Sequence, residues 1–255
     1  MNIQQIRNAT LLLDYAGSKF LIDPMLADQG IYPGLAGTPN SHLANPTVAL
    51  PVPLQTLLPV DAVIVTHTHL DHWDMAAQAL LPKQLPIFTQ HEQDRALLTS
   101  QGFTDVRLLK GAEFQGITLT QTLGQHGTDD ALRAMGDFLG QVCGVVFQHP
   151  QEKTLYIAGD TIWNQYVKDT LQQFQPDIVV LNAGDAQILG VGSIIMGAED
   201  VYQVYQAAPQ ATLIASHMES VNLLTLTRQA LRVFSAEHAL TDRLLIPEDG
   251  EGYTF

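Results

Sequence analysis

Residues 66–74 read THTHLDHWD and follow directly on the apolar run VDAVIV of residues 60–65. His67 and His69 are two positions apart, so on an extended backbone their rings project to the same side. Asp71 and His72 follow as the chain turns, within reach of a second, neighbouring point. Packing four such groups at the exit of a buried strand costs stability unless something neutralises and orders them. A divalent metal does both. The chemistry on offer is therefore that of a metal centre.

One motif leaves such a centre incomplete, so the remaining ligands must come from other strand ends. Three candidates follow apolar β-like runs: His126 after ITLTQTLGQ, Asp160 after TLYIAG and His217 after TLIAS. A histidine or aspartate at one strand end is ordinarily a cap. Three of them, beside THTHLDH, are better explained by convergence on one sheet edge.

The elements that position these groups can be read coarsely. ATLLLDYA and KFLIDP flank a Gly-Ser turn and predict a hairpin. Asp74 predicts the N-cap of a short helix through Leu81, and Thr89 with Glu92 a capping box for a helix ending before Gly102. Strands are expected at LPIFT, FTDVRLL, ITLTQTLGQH, CGVVFQH, TLYIAGD, PDIVVLNAG, TLIASH and RLLIP. Helices are expected over Tyr166–Phe174 and Glu199–Ala208, and in a last helix with Leu223, Leu226, Ala230 and Val233 as its buried stripe. Residues 127–140, GTDDALRAMGDFLG, show no clear period and predict a loop near the site; residues 184–197 predict a Gly-rich loop. Central strands that are apolar on both faces imply sheets covered on both sides. VDAVIV and PDIVVL share an Asp-then-apolar pattern that hints at two related halves.

The 255 residues suffice for one large domain, and no Gly/Ser tract or charge block marks a linker, so residues 1–255 are read as one domain. Twelve Lys+Arg against 26 Asp+Glu give a formal charge of −14 with no basic cluster, which argues against nucleic-acid partners. An anionic small-molecule substrate stays open, because a metal supplies positive charge itself. The single cysteine, Cys143, lies in a strand-like run and reads as a buried, inert thiol. No signal-peptide pattern and no membrane-length apolar run is seen, so the expectation is a cytoplasmic protein without membrane contact.

The motif H-x-H-x-D-H at residues 67–72, the hairpin ATLLLDYAGSKFLIDP, GDT at 159–161 and the terminal IPEDGE together resemble the metallo-β-lactamase superfamily over nearly the whole chain. The nearest likeness is to its bacterial lactonase-like and phosphodiesterase-like hydrolases, such as ascorbate-6-phosphate lactonase. The resemblance implies an α/β (α+β) fold: an αββα four-layer sandwich of two facing mixed sheets with outer helices. It implies two divalent ions, Zn first and Mn or Fe not excluded by ligand type. His67, His69 and His126 would hold one ion, Asp71, His72 and His217 the other, and Asp160 would bridge both. True metallo-β-lactamases lack that bridging Asp, so antibiotic hydrolysis is not expected. The implied activity is a binuclear hydrolase that attacks a small ester, lactone or phosphodiester with a metal-bridging hydroxide, Asp71 carrying a proton to the leaving group. Such hydrolases often self-associate, which leaves a homo-oligomer open.

The alternatives are a single-iron dioxygenase of the same superfamily and a non-catalytic metal-binding regulatory protein. A nuclease is disfavoured by the charge. Glyoxalase II is disfavoured by the short stretch after His217, and a flavodiiron oxidoreductase by His69 standing where an acid is needed. Trp73, Trp163 and Arg133 lie close in sequence to ligands and are the candidate substrate contacts; Asp14, Asp23 and Thr68 are candidate supports for the ligands.

Overall fold

The computed structural model describes residues 1–255. Its frame is two seven-stranded mixed sheets. The first holds β1 (Asn2–Arg7), β2 (Thr10–Tyr15), β3 (Ser18–Ile22), β4 (Ala62–Val65), β5 (Ile87–Thr89) and β6 (Val106–Leu108), with β16 (Gly252–Thr254) beside β1. The second runs from β7 (Ala112–Phe114) through β8 (Ile117–Leu123), β9 (Cys143–Gln148), β10 (Leu155–Ile157) and β11 (Ile178–Asn182) to β14 (Thr212–Ser216) and β15 (Leu244–Leu245). A small hairpin, β12 (Gln187–Ile188) with β13 (Gly192–Ser193), stands apart inside the Gly-rich stretch.

Alternation along the strands sorts side chains into layers. Leu11, Leu13, Phe20, Ile22 and Ile64 of the first sheet meet Val145, Phe147, Ile157, Ile178 and Val180 of the second in a core between the sheets. The opposite faces pack outward. Leu21, Val63 and Val65 meet α1 (Met75–Leu80) and α2 (Glu92–Ser100) through Ala77 and Leu98. Tyr156, Val179 and Leu213 meet α4 (Gln165–Phe174), α5 (Ala198–Ala207) and α6 (Arg228–Glu237) through Val167, Val201 and Leu231. This is the expected αββα sandwich, and it explains why β4 and β11 are buried on every residue. Both strands lie between parallel neighbours in their own sheets.

Pairing directions place the functional edge. β1, β3 and β4 run the same way in the first sheet, because β2 is antiparallel to both β1 and β3 and β4 is parallel to β3. β8, β10, β11 and β14 share one direction in the second. The chain therefore leaves seven strands on one side of the sandwich, carrying Asn8, Asp23, His67, His126, Asp160, Asn182 and His217 to or just past their ends.

Four local expectations are corrected. Thr89 sits in the β5 ladder, so α2 is capped instead by His91, whose Nδ1 accepts from the Asp94 amide. Residues 129–139 form α3 (Asp129–Leu139), capped by Thr128; a break at Met135 (φ −140°, ψ 22°) splits its period and hides it from the pattern. The last helix begins at Arg228 and buries Arg228, Leu231 and Ser235, while Ala230 and Val233 face solvent. Thr227 caps that helix, which fixes its start after Leu223 and Leu226 and turns the proposed stripe away from the core. The Gly-rich stretch contains the β12–β13 hairpin. Asp74 caps α1 as expected, its Oδ1 accepting from Ala77 N, and Cys143 is buried with its thiol pKa pushed well up by burial. No helix is long and apolar enough to cross a membrane.

Candidate metal centre

The seven anticipated side chains meet at the common strand edge. Three overlapping groups have donor atoms mutually within 4.8 Å: His67 with His69 and His126, His67 with His72 and Asp160, and Asp71 with His72 and His217. Asp160 lies between the first and last of these. Its Oδ2 is 3.2 Å from His72 Nε2, 3.7 Å from His126 Nε2 and 3.9 Å from His67 Nε2, and its Oδ1 is 3.6 Å from His217 Nε2. Asp71 Oδ2 stands 3.2 Å from His217 Nε2.

The outer atoms of the rings fix which nitrogen faces inward. His72 Nδ1 donates to Asp23 Oδ2 at 2.9 Å, His126 Nδ1 to the Ile194 carbonyl at 2.8 Å, and His69 Nε2 to the Phe138 carbonyl at 3.0 Å. In a neutral imidazole each such bond leaves the lone pair on the other nitrogen. These lone pairs point into one small space, where His67 Nε2 is 3.0 Å from His69 Nδ1 and His72 Nε2 is 3.1 Å from His217 Nε2. Nitrogens that close repel unless a proton or a metal cation lies between them, and two buried carboxylates supply negative charge that a cation would match. The donor set fits divalent metal ions.

Electrostatics agree with that reading. Burial, aided by the neighbouring His72 and His69, pushes His67 well below its ordinary pKa, and burial lowers His126. Burial alone would raise Asp71 and Asp160, but the surrounding imidazoles outweigh it and hold both below the usual carboxylate range. His72 goes the other way: Asp160, Asp71 and Asp23 overcome its burial and raise it well above its ordinary value. Proton and metal therefore compete most directly at His72.

Asp23 is the central support. Besides His72 it accepts from Thr66 N and Thr66 Oγ1, both at 2.7 Å, and so ties the end of β3 to the start of the motif. Asp14 is instead half-exposed, 3.8 Å from Lys19 Nζ, and Thr68 bonds Asp94. Two supports escaped the sequence reading. Asn8 Nδ2 donates to the Asp71 carbonyl at 2.9 Å and to its Oδ2 at 3.3 Å, and Asn182 Nδ2 donates to Asp160 Oδ1 at 2.7 Å. Asn182 ends the apolar run of β11, a signal that could have found it, whereas Asn8 follows the mostly polar NIQQIR of β1 and carried no such signal.

A cavity of about 370 Å³ opens on the centre. His69, Asp71, His126, Asp160 and His217 form its base, and Tyr32, Leu35, Ile194, Val221, Leu223 and Phe138 are prominent on its walls. No lysine or arginine lines it. The three anticipated substrate contacts lie elsewhere. Trp73 is buried against Phe103 in the layer under α1 and α2, its indole N–H given to Gln101. Trp163 packs against the outer face of the second sheet beneath Lys168. Arg133 is exposed and paired with Asp130 on the outer side of α3. Nearness in sequence to a ligand failed because Trp73 and Trp163 lie in bends and Arg133 on a helix, where the turn of the chain sets the side chain's direction.

Residues 18–218 match the beta-lactamase superfamily domain. The chain belongs to the metallo-β-lactamase superfamily. Within it, the chain is 49% identical to UPF0173 protein YddR of Bacillus subtilis over the full length of both, which places it in the UPF0173 family. Its fold superposes with a TM-score of 0.97 on the crystal structure of an isothiocyanate hydrolase from Delia radicum gut bacteria, at 54% identity over 100% of this chain and 99% of that one. A possible metal-dependent hydrolase from Veillonella parvula gives a TM-score of 0.98 at 43% identity, with the same coverage. This superfamily member is thus a metal-dependent hydrolase.

Proposed function

We propose that the chain hydrolyses a small, uncharged electrophile with an apolar body, of the isothiocyanate class, at a two-metal centre. The observation that carries this reading is the pairing of a His/Asp metal centre with an apolar cavity that offers no cation. The 54% identical isothiocyanate hydrolase supports the substrate class. Two ions, Zn or Mn, held by His67, His69 and His126, by Asp71, His72 and His217, and by Asp160 between them, would supply a water of lowered pKa and Lewis acidity.

The protein's own groups do the rest. Asp71 keeps Oδ2 toward His217 and Asn8, and its carboxylate, held ionised, faces the cavity to take the proton of the attacking water. The water oxygen bonds to the central carbon of R–N=C=S while the C=N pair shifts to nitrogen, which receives the proton from Asp71. In that thiocarbamic acid the remaining O–H proton moves to nitrogen as the C–N bond breaks and the O–H electron pair forms C=O, releasing R–NH2 and carbonyl sulfide, so one water is consumed and all atoms balance. Tyr32, Leu35 and Leu223 hold the R group and exclude bulk water.

A small lactone or ester is the second reading, favoured by the same uncharged walls, which accept a neutral carbonyl. A phosphodiester anion would find no arginine or lysine there. The test is to load the protein with Zn²⁺ or Mn²⁺ and offer benzyl isothiocyanate, a lactone panel and a nitrophenyl phosphodiester side by side. Release of benzylamine, lost in Asp71→Ala, is expected. Acid release from a lactone with no amine from the isothiocyanate would overturn the first reading in favour of the second.

A further inference from the structure

The cavity wall opposite the metal centre is built from residues 32–36 and Asn45, in a long segment between β3 and β4 with almost no regular structure. Such a segment would ordinarily be mobile. Here it is tied to one side chain, Asn222, from the loop between β14 and α6. Asn222 Oδ1 accepts from Leu35 N at 3.0 Å and from Asn45 Nδ2 at 2.9 Å. Its Nδ2 donates to Thr38 Oγ1 at 2.8 Å and to the Pro39 carbonyl at 2.7 Å. Its backbone N–H donates to Asn45 Oδ1 at 2.8 Å, so the two asparagines clasp reciprocally.

Every donor and acceptor of the Asn222 amide is thereby used, and the residue is buried. Its immediate neighbours Val221 and Leu223 both line the cavity, and His217 lies five residues upstream on the same loop. One asparagine therefore links the wall formed by residues 32–45 to the stretch that carries a metal-site histidine. The wall is also tight in itself: a Cβ on Gly34 would fall 2.4 Å from the carbonyl oxygens of Ser41 and Leu43.

We infer that the Asn222–Asn45 clasp is the positioning device that fixes the size of the substrate pocket, making residues 32–45 a preorganised wall and Asn222 a specificity-determining residue although it touches no substrate. This rests on the cavity being the substrate site, as proposed above, and not on which electrophile enters it. A preorganised wall favours ligands large enough to touch it. Loosening the clasp should weaken those ligands and leave those too small to reach the wall unaffected.

The experiment compares wild type, Asn222→Ala and Asn222→Asp, each loaded with metal. Three readouts are taken: metal content, amide hydrogen exchange, and kcat and KM for methyl and benzyl isothiocyanate. Asn222→Ala should speed exchange across residues 32–45, Leu35 included, with metal content unchanged. Its KM for benzyl isothiocyanate should rise about tenfold, as for a wall closed roughly a tenth of the time. For the methyl compound KM, and for both compounds kcat, should stay within about twofold. Asn222→Asp retains the acceptor oxygen, so Leu35 should stay protected while Thr38–Asn40 exchange faster; it also carries the test if the alanine variant fails to fold. Unchanged exchange over residues 32–45, or loss of metal with kcat falling equally for both substrates, would overturn the inference. If wild type turns over no isothiocyanate, the substrate reading fails, and the clasp stands or falls on the exchange pattern alone.

Discussion

In the proposed mechanism Asp71 combines two duties that pull on the same carboxylate, one oxygen facing His217 and the group as a whole facing the cavity. Asp71→Ala is expected to lower kcat by at least about a thousandfold, since both a ligand and a proton carrier are lost. The residue is only half-buried, so the far-UV CD spectrum and urea midpoint should hold; steady-state kinetics and a urea titration check both halves. Asp23 never meets the cavity, yet it accepts three bonds from Thr66 and His72. Asp23→Ala should weaken metal binding by roughly 10- to 100-fold, read by chelator competition. It should also cost about 2–3 kcal/mol of stability, because a buried amide and hydroxyl lose their acceptor.

Ligation is a property of residues, but convergence is a property of strands. The seven donors meet because parallel strands of both sheets end on one side, and glycines at those ends let the turns approach each other. A Cβ on Gly184 would sit 2.1 Å from the His217 carbonyl oxygen, backbone that has no room to shift. Gly184→Ala should therefore displace the His217 loop, lower the melting temperature by several degrees and reduce metal content, at a cost of about 2–3 kcal/mol. Differential scanning calorimetry with metal analysis checks it. The element level is also where pattern reading met its limit. Strand ends were legible because apolar runs stop abruptly at His67, Asp160 and His217. Helix α3 was not, because its break at Met135 disrupts the repeat, although Thr128 with Asp129 and Asp130 carried a start signal in plain view. Phe138 of that helix anchors His69 and closes one side of the cavity, so missing the helix meant missing part of the site.

At the scale of the molecule, the metal centre joins the two sheets: His67, His69, Asp71 and His72 come from the first, and His126, Asp160 and His217 from the second. Any ion bound there ties the halves of the fold together. Removing it with a chelator should lower stability by about 3 kcal/mol, for metal supplied at roughly a hundredfold its dissociation constant, and metal re-addition should restore it. Calorimetry with and without chelator measures this. A second prediction concerns the alkaline limit. Tyr156 is fully buried with no partner for its hydroxyl, and burial pushes its pKa up to about 12. The unfolded phenol titrates near pH 10, so the folded form holds a proton that the unfolded form has lost. Stability is then intact below about pH 10 and falls between about pH 10 and 12, by roughly 3 kcal/mol from this residue. Tyr156→Phe should be near-neutral in stability at pH 7 and flatten that fall, as urea titrations at pH 7, 10 and 11.5 would show.

Much of this molecule was determined by its sequence. Apolar runs of strand length, stopping at histidine or aspartate, specify both the sandwich and the side chains of its centre, because a buried strand cannot carry such groups except at its end. The support Asn182 obeys the same logic, while Asn8 follows a mostly polar strand and was placed by the fold. The cavity over the metal centre is of another kind. Tyr32, Leu35, Phe138, Ile194, Val221 and Leu223 come from four separate stretches of chain with no shared period. They form one wall only after the sandwich closes and Asn222 clasps the long loop. Trp73 shows the converse: beside a ligand in sequence, it points into the layer under α1 and α2, because a turn of the chain sets direction and nearness does not. Ligand chemistry is local and periodic, and so is written in the sequence; the shape of a cavity is a long-range fact, decided by which loops the tertiary fold brings together.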